Sequence, residues 1–133
     1  MSATASSHEV PLATSSLGPW RVALPLEQIS CVANWDDLRP SEEQCLDLGV
    51  LLGEPRAPQG RRVAGLGGRG DELFVLLGEA VTVRPVELVR LHPLPPLLAL
   101  AGAHFGCTGL VRTDDGFAFL LDADRLRGVA GRH

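Results

Sequence analysis

Short apolar runs of four to seven residues, each closed by Gly or Pro, set the rhythm of this chain. "WRVALPL" begins at Trp20 and "ISCVANW" follows after Glu27 and Gln28. "DDLRPSEEQ" is polar, carries Pro40 and reads as a loop; "CLDLGVLLG" then returns to apolar residues and ends at Gly53. "EPRAPQGRR" is a second loop. The rhythm repeats with "RVAGL" and "ELFVLLG" around "GGRGD", then with "AVTV" and "VELVRLHPL" on either side of Pro85. "PPLLALAGAHFG" has room for one short helical turn, and "TGLVRT" and "FAFLLD" flank "DDG". Runs of this length, ended by turn residues, predict strands and hairpins. With 15 Gly and 10 Pro, long amphipathic helices are excluded. The expected fold is all-β, a barrel or sandwich with short helical turns only.

Length sets the frame for that reading. The 133 residues suffice for one domain with a real core. Residues 1–16 are small and polar and read as a flexible tail, 17–128 as the single folded domain, and 129–133 as a C-terminal tail. The composition is 45% hydrophobic and 21% charged, which is globular. A net charge of −4 without a basic stripe argues against nucleic acid as a partner. The start of the chain has neither a basic segment nor an apolar core, so it does not read as a signal peptide. No run reaches the ~18 apolar residues of a membrane span. Three Cys (Cys31, Cys45, Cys107) without C-x-x-C spacing do not form a disulfide framework, and a cytoplasmic protein with reduced thiols is expected.

Candidate chemistry is sparse. Asp114, Asp115, Asp122 and Asp124 lie close together in "TDDGFAFLLDADRL". Asp-Gly between two apolar runs is a strong hairpin signal, and Asp also suits a helix N-cap. A calcium loop needs alternating ligands and a terminal Glu, whereas five apolar residues split these acids. They are read as turn residues, with no metal site. "GLGGRG" (Gly65 to Gly70) matches G-x-G-x-x-G, but that motif needs a following helix and "DELFVLLG" reads as a strand. His104 and Cys107 have a spacing that a zinc site or a nucleophile pair uses, yet no orienting Asp or Asn is identifiable. The residues describe a β-rich domain with neither cofactor nor catalytic residues, better suited to binding than to catalysis.

The order of the segments brings in a family. "VALPLEQISCV", "CLDLGVLLG", "RVAGLGGRGDELFVLLGEAVTV", "LHPLPPLL" and "TGLVRTDDGFAFLLDADRL" together resemble the CheW-like domain, over residues 18–127. The resemblance implies two small five-stranded β-barrels on a shared apolar core. It also implies a non-catalytic adaptor in bacterial chemosensory signalling, whose partners are the cytoplasmic tip of a chemoreceptor and the regulatory domain of a CheA-type histidine kinase. Carried over position by position, it places partner contacts on Ile29, Cys31 and Val32 in the first barrel. In the second barrel it places them on Ala80 and Val83. Cys31 stands where the family has an acid, and Gly78 where it has Asp. The segment between Val32 and Cys45 is shorter than in relatives and lacks their N-L-R-G, so Arg39 is not equated with that Arg. In this the chain resembles reduced CheW-like accessory proteins such as those of Frz-type pathways. The short segment also leaves the edge near Ile29 open to self-association as a homodimer. An interaction module outside chemosensing is the alternative reading, since apolar strand patterns recur across folds.

Overall fold

A computed structural model describes residues 8–67 and 72–131. The chain enters one sheet, leaves it for a second, and returns. Strands β1 (Glu9–Leu17) and β2 (Trp20–Pro25) form a hairpin whose turn uses Gly18 at φ +63. A 3-10 turn at Leu26–Gln28 carries the chain across to β3 (Ile29–Asn34). Helix α1 (Trp35–Leu38), β4 (Cys45–Asp47), α2 (Leu48–Leu51), β5 (Arg62–Leu66) and β6 (Leu73–Leu76) follow. The chain then crosses back to β7 (Val81–Glu87), β8 (Leu91–Pro93), helix α3 (Pro96–Ala103), β9 (Cys107–Thr113), β10 (Gly116–Leu121) and helix α4 (Ala123–Gly131). The six-stranded sheet has the order β7-β1-β2-β10-β9-β8, and the four-stranded sheet the order β3-β5-β6-β4. The sheets curl into half-barrels, the all-β architecture that the sequence predicts, with the ten strands shared six and four.

Alternation along the central strands explains the packing. Side chains two apart in a strand share a face. Val22, Leu24 and Leu121 join the core between the sheets, where they meet Ala64, Leu66 and Val75 from the four-stranded sheet and Leu126 from α4. Ala23 and Ala118 point the other way, into a smaller core with Leu12 and Val111 inside the curled six-stranded sheet. β2 and β10 are therefore apolar on both faces, as "FAFLL" suggests.

Both chain ends differ from the sequence reading. Residues 9–16, read as tail, belong to β1, which pairs with β2 on one side and β7 on the other. Its Ser and Thr residues hide a strand that is buried at Leu12, Ala13, Ser15 and Leu17 and carries Ser16 in solvent. Ser15 is buried, donating its hydroxyl hydrogen to Ala80 O at 2.8 Å and accepting from Gly78 N–H at 2.9 Å. Val129, read as tail, is buried on α4, where Ala123, Leu126 and Val129 recur every third residue on one face. Pro85 does not divide two strands either. It lies inside β7, the outermost strand, opposite Pro11, and a missing N–H is tolerated at such an edge.

The register of β10 yields a graded test. Leu121 is fully buried, Phe119 is half-buried against Phe105 and Trp20, and Phe117 is 59% exposed. Urea unfolding should show Leu121→Ala costing about 2–5 kcal/mol and Phe119→Ala about 3 kcal/mol, while Phe117→Ala stays within about 0.5 kcal/mol. A costly Phe117→Ala beside a neutral Leu121→Ala would mean that the register is shifted by one residue.

Candidate functional site

The five residues singled out from sequence fall on the edges of different sheets. Ile29, Cys31 and Val32 lie on β3, which pairs with β5 alone and bounds the four-stranded sheet. Ser30 is an irregularity in that ladder, and its hydroxyl donates to Gly65 O at 3.0 Å. Ile29 packs partly against the main core, while Cys31 is exposed and Val32 is 45% exposed. Cys31 lies opposite Gly65, and a Cβ there would crowd its sulfur. Ala80 and Val83 belong to the other sheet. Ala80 is exposed just before β7, and Val83 is 52% exposed in the middle of that edge strand.

A groove of about 1030 Å3 runs past Ala80. Ser15, Gly18, Glu54, Gly78, Ala80 and Thr82 are among its lining residues, and Val83 is not. Its charged groups are largely paired. Arg21 meets Asp115 with two hydrogen bonds of 2.6 and 2.5 Å. Arg61 is buried against Asp47 at 3.3 Å and also donates to Leu77 O at 2.6 Å. Arg90 reaches Asp114 at 3.3 Å.

The segment between Val32 and Cys45 is closed by local contacts. Arg39 caps α1 in the left-handed region at φ 42, with its guanidinium 5.6 Å from the centre of the Trp35 ring. Asp36 accepts from Gly60 N–H at 2.8 Å, which ties the segment to the loop before β5.

The four Asp residues of the final hairpin are placed at turns. Thr113 pairs with Gly116 across Asp114 and Asp115, and the positive φ falls on Gly116 and not on Asp115. Asp122 caps α4, accepting from Arg125 N–H at 3.2 Å, and accepts from the Gln28 side chain at 2.9 Å. Asp124 pairs with Arg127 at 3.3 Å. Hydrogen bonds from Arg21 and then from Thr113 hold the Asp115 carboxyl well below the usual carboxylate range. Among the described residues, no group of three or more His, Cys, Asp or Glu is placed to hold a metal. Gly68 to Gly70 of "GLGGRG" lie outside the described residues, and the element that follows is strand β6.

The thiols of Cys107 and Cys45 are shifted away from reactivity. Cys107 is buried and donates to Gly109 O at 3.2 Å, and burial pushes its pKa up. His104 is exposed at the end of α3. A nucleophilic thiol needs the opposite shift. Cys45 is pushed up to about 11, first by burial and then by the charge of Asp47.

The residues that sequence reasoning passed over are exposed apolar ones. Leu88 and Val89 protrude from a 3-10 turn after β7, and Leu97, Leu98 and Leu100 protrude from α3. The signal for the three on α3 was the uncharged run "LHPLPPLLALAGA", which lacks the polar spacing of a half-buried element.

The structure resembles the crystal structure of the scaffolding protein TtCheW from Thermoanaerobacter tengcongensis, with a TM-score of 0.64. The match covers 84% of this chain and 88% of that one at 16% sequence identity, and it shows that the fold is CheW-like. No protein-family model matches the sequence, and no curated protein matches it.

The raised thiol values carry a pH prediction. The chain has no Lys and no Tyr, so thiols are the side chains that titrate between pH 9 and 11. A folded-state pKa raised above the unfolded value gives stability that is complete below the unfolded pKa. That stability is lost as pH rises from 9.0 to about 11, because the unfolded thiol ionises first. Cys45 alone should account for roughly 2 kcal/mol of this loss. Unfolding midpoints measured across that range should fall for the wild type and fall less for Cys45→Ala. Identical slopes in the two proteins would mean that Cys45 is not buried.

Proposed function

We propose that this protein is a non-catalytic CheW-like adaptor in bacterial chemosensory signalling. It couples the cytoplasmic tip of a chemoreceptor to the regulatory domain of a CheA-type histidine kinase, or modulates that coupling, and it works in the cytoplasm. The observation that carries the proposal is the fold shared with a CheW scaffolding protein over most of both chains. Two features support it. The exposed apolar residues sit on the outer strands of separate sheets, so two partners have separate places to bind. The thiol nearest a histidine is buried and shifted away from reactivity.

Within this reading β3 serves one partner through Cys31 and Val32, with Ile29 beneath them, and β7 serves another through Val83 and Ala80. The shortened segment after Val32 alters the β3 surface more, because Trp35 and Arg39 lie where relatives extend the chain. Ile29 is a poor probe, since it packs on the core. Val32 and Val83 are better ones, being exposed in the free protein. A carboxylate buried unpaired at an interface is strongly unfavourable.

Binding of receptor tip and of kinase regulatory domain should be measured separately, with folding followed by circular dichroism. Val83→Glu should lower affinity for one partner by at least about 30-fold, and Val32→Glu should do the same for the other. Wild-type protein that binds neither partner would sink the adaptor reading. Folded variants that bind both with unchanged affinity would remove these residues from the interfaces.

A further inference from the structure

Four consecutive carbonyls, those of Leu76 to Glu79, accept hydrogen bonds from two adjacent arginines. Arg61 donates to Leu76 O at 3.5 Å and to Leu77 O at 2.6 Å. The Arg62 backbone N–H donates to Gly78 O at 2.9 Å, and its side chain donates to Glu79 O at 3.3 Å. Residues 77–80 belong to no strand and carry the chain from β6 into β7. From the other side the Ser15 hydroxyl grips Gly78 and Ala80, and Arg62 grips Glu79 between them.

The same two arginines hold the end of β3. Arg61 O accepts from Trp35 N–H at 2.9 Å. Arg62 stands opposite Asn34 in the β3–β5 ladder, and its guanidinium donates to Asn34 Oδ1. Asn34 follows Val32 by two positions, so the two share a face of the strand, and both are exposed. A single side chain therefore joins the edge that carries Val32 to the segment that leads through Ala80 to Val83.

We propose that Arg62 couples the two candidate surfaces, so that a partner seated on β3 tightens binding at β7. The proposal rests on the adaptor reading only in taking both edges as partner surfaces. Both side-chain bonds of Arg62 are exposed in the free protein, where water competes for the same groups. A partner that covers Val32 and Asn34 excludes that water, and a charge-assisted hydrogen bond strengthens as its surroundings dry. The guanidinium is a rigid plane, so fixing it on Asn34 also fixes the Nε–H that it presents to Glu79 O. The segment entering β7 has two arrangements, with Glu79 held or released, and the first partner favours the held one. The second partner then has less ordering to impose.

Two measurements test this, and the first needs no partner. The Gly78 amide donates to Ser15 Oγ, so its native-state hydrogen exchange reports release of the segment. Asn34→Ala should speed that exchange about 3-fold in the wild type and leave it unchanged in an Arg62→Met background. Asp37→Ala, which removes the other bond of the Asn34 side chain, should also leave it unchanged. For the second measurement, the partner that Val32→Glu displaces, receptor tip or kinase regulatory domain, is added to saturation and the affinity of the other is read. The wild type should bind the other at least about 5-fold more tightly, with the same factor when the roles are exchanged. Arg62→Met should abolish that factor while each partner alone still binds within about 3-fold of wild type. A merely structural role would lower both affinities and preserve the factor. Should Arg62→Met fail to fold, Asn34→Ala, which keeps every backbone group, should reduce the factor in its place. Partners that bind the wild type independently overturn the proposal, as does a factor that survives in Arg62→Met. Gly78 exchange that Asn34→Ala leaves unaltered overturns it too. A wild type that binds neither partner sinks the adaptor reading, and the exchange measurement alone then decides whether Arg62 links the two edges.

Discussion

The close approach of β1 to the segment leading into β7 is the constraint on which the rest of this structure depends. A Cβ at Gly78 would run into Ser16 O, so the backbone there must be glycine. The Ser15 hydroxyl fills the remaining gap, accepting from Gly78 N–H and donating to Ala80 O. Both groups are withdrawn from water at this point, and leaving either unpaired would cost about 1–3 kcal/mol. The contact pins the place where the chain leaves the four-stranded sheet and rejoins the six-stranded one. It thereby sets the register of β7 on β1, with Ser15 opposite Val81 and Ala13 opposite Val83. A slip of one residue would exchange the faces on which Val83 and Arg84 stand. The position that the sequence resemblance assigns to Asp thus serves the fold here, and the exposure of Val83 follows from it.

Other contacts fasten the two sheets at the opposite side. Gln28 lies in the first crossing between sheets, and its side chain donates to Asp122 and accepts from Ala123 N–H. Arg127 of α4 donates to Leu66 O and to Gly67 O at the end of β5. The last helix therefore closes the shared core and also links the first crossing to the four-stranded sheet. Its buried face, Ala123, Leu126 and Val129, contributes to the same core as Val22 and Leu66. These links fasten the four-stranded sheet, which β3 bounds, to the six-stranded sheet, which β7 bounds.

Much of this was legible in the sequence, and the failures share a cause. The hairpin β9–β10 announced itself through Asp-Gly between apolar runs, and β5–β6 through a glycine-rich link. β1 did not, because Thr14, Ser15 and Ser16 interrupt its apolar residues, so it lacks the apolar alternation of a half-buried strand. Pro85 suggested a break, yet an outermost strand has unpaired positions where proline is harmless. The candidate site comes from the family resemblance alone, and the structure adds where its residues lie. Regular alternation would put Ile29 and Val32, three apart, on opposite faces, whereas the bulge at Ser30 brings them opposite Leu66 and Ala64, with Ile29 partly on the core and Val32 still 45% exposed. A bulge depends on the partner strand, and single-sequence periodicity contains no record of it.

The distribution of charge separates the surfaces more sharply than hydrophobicity does. Apolar side chains are exposed on β3, on β7 and along α3, so exposure alone does not rank them. On β7 they alternate with Arg84 and Glu87, and β3 runs into Asp36 and Asp37 of α1. Charges of this kind make an interface selective, because a mismatched partner leaves one of them buried and unpaired. The α3 strip has none to offer. An uncharged apolar surface gains binding energy from burial alone and carries no discrimination of that kind.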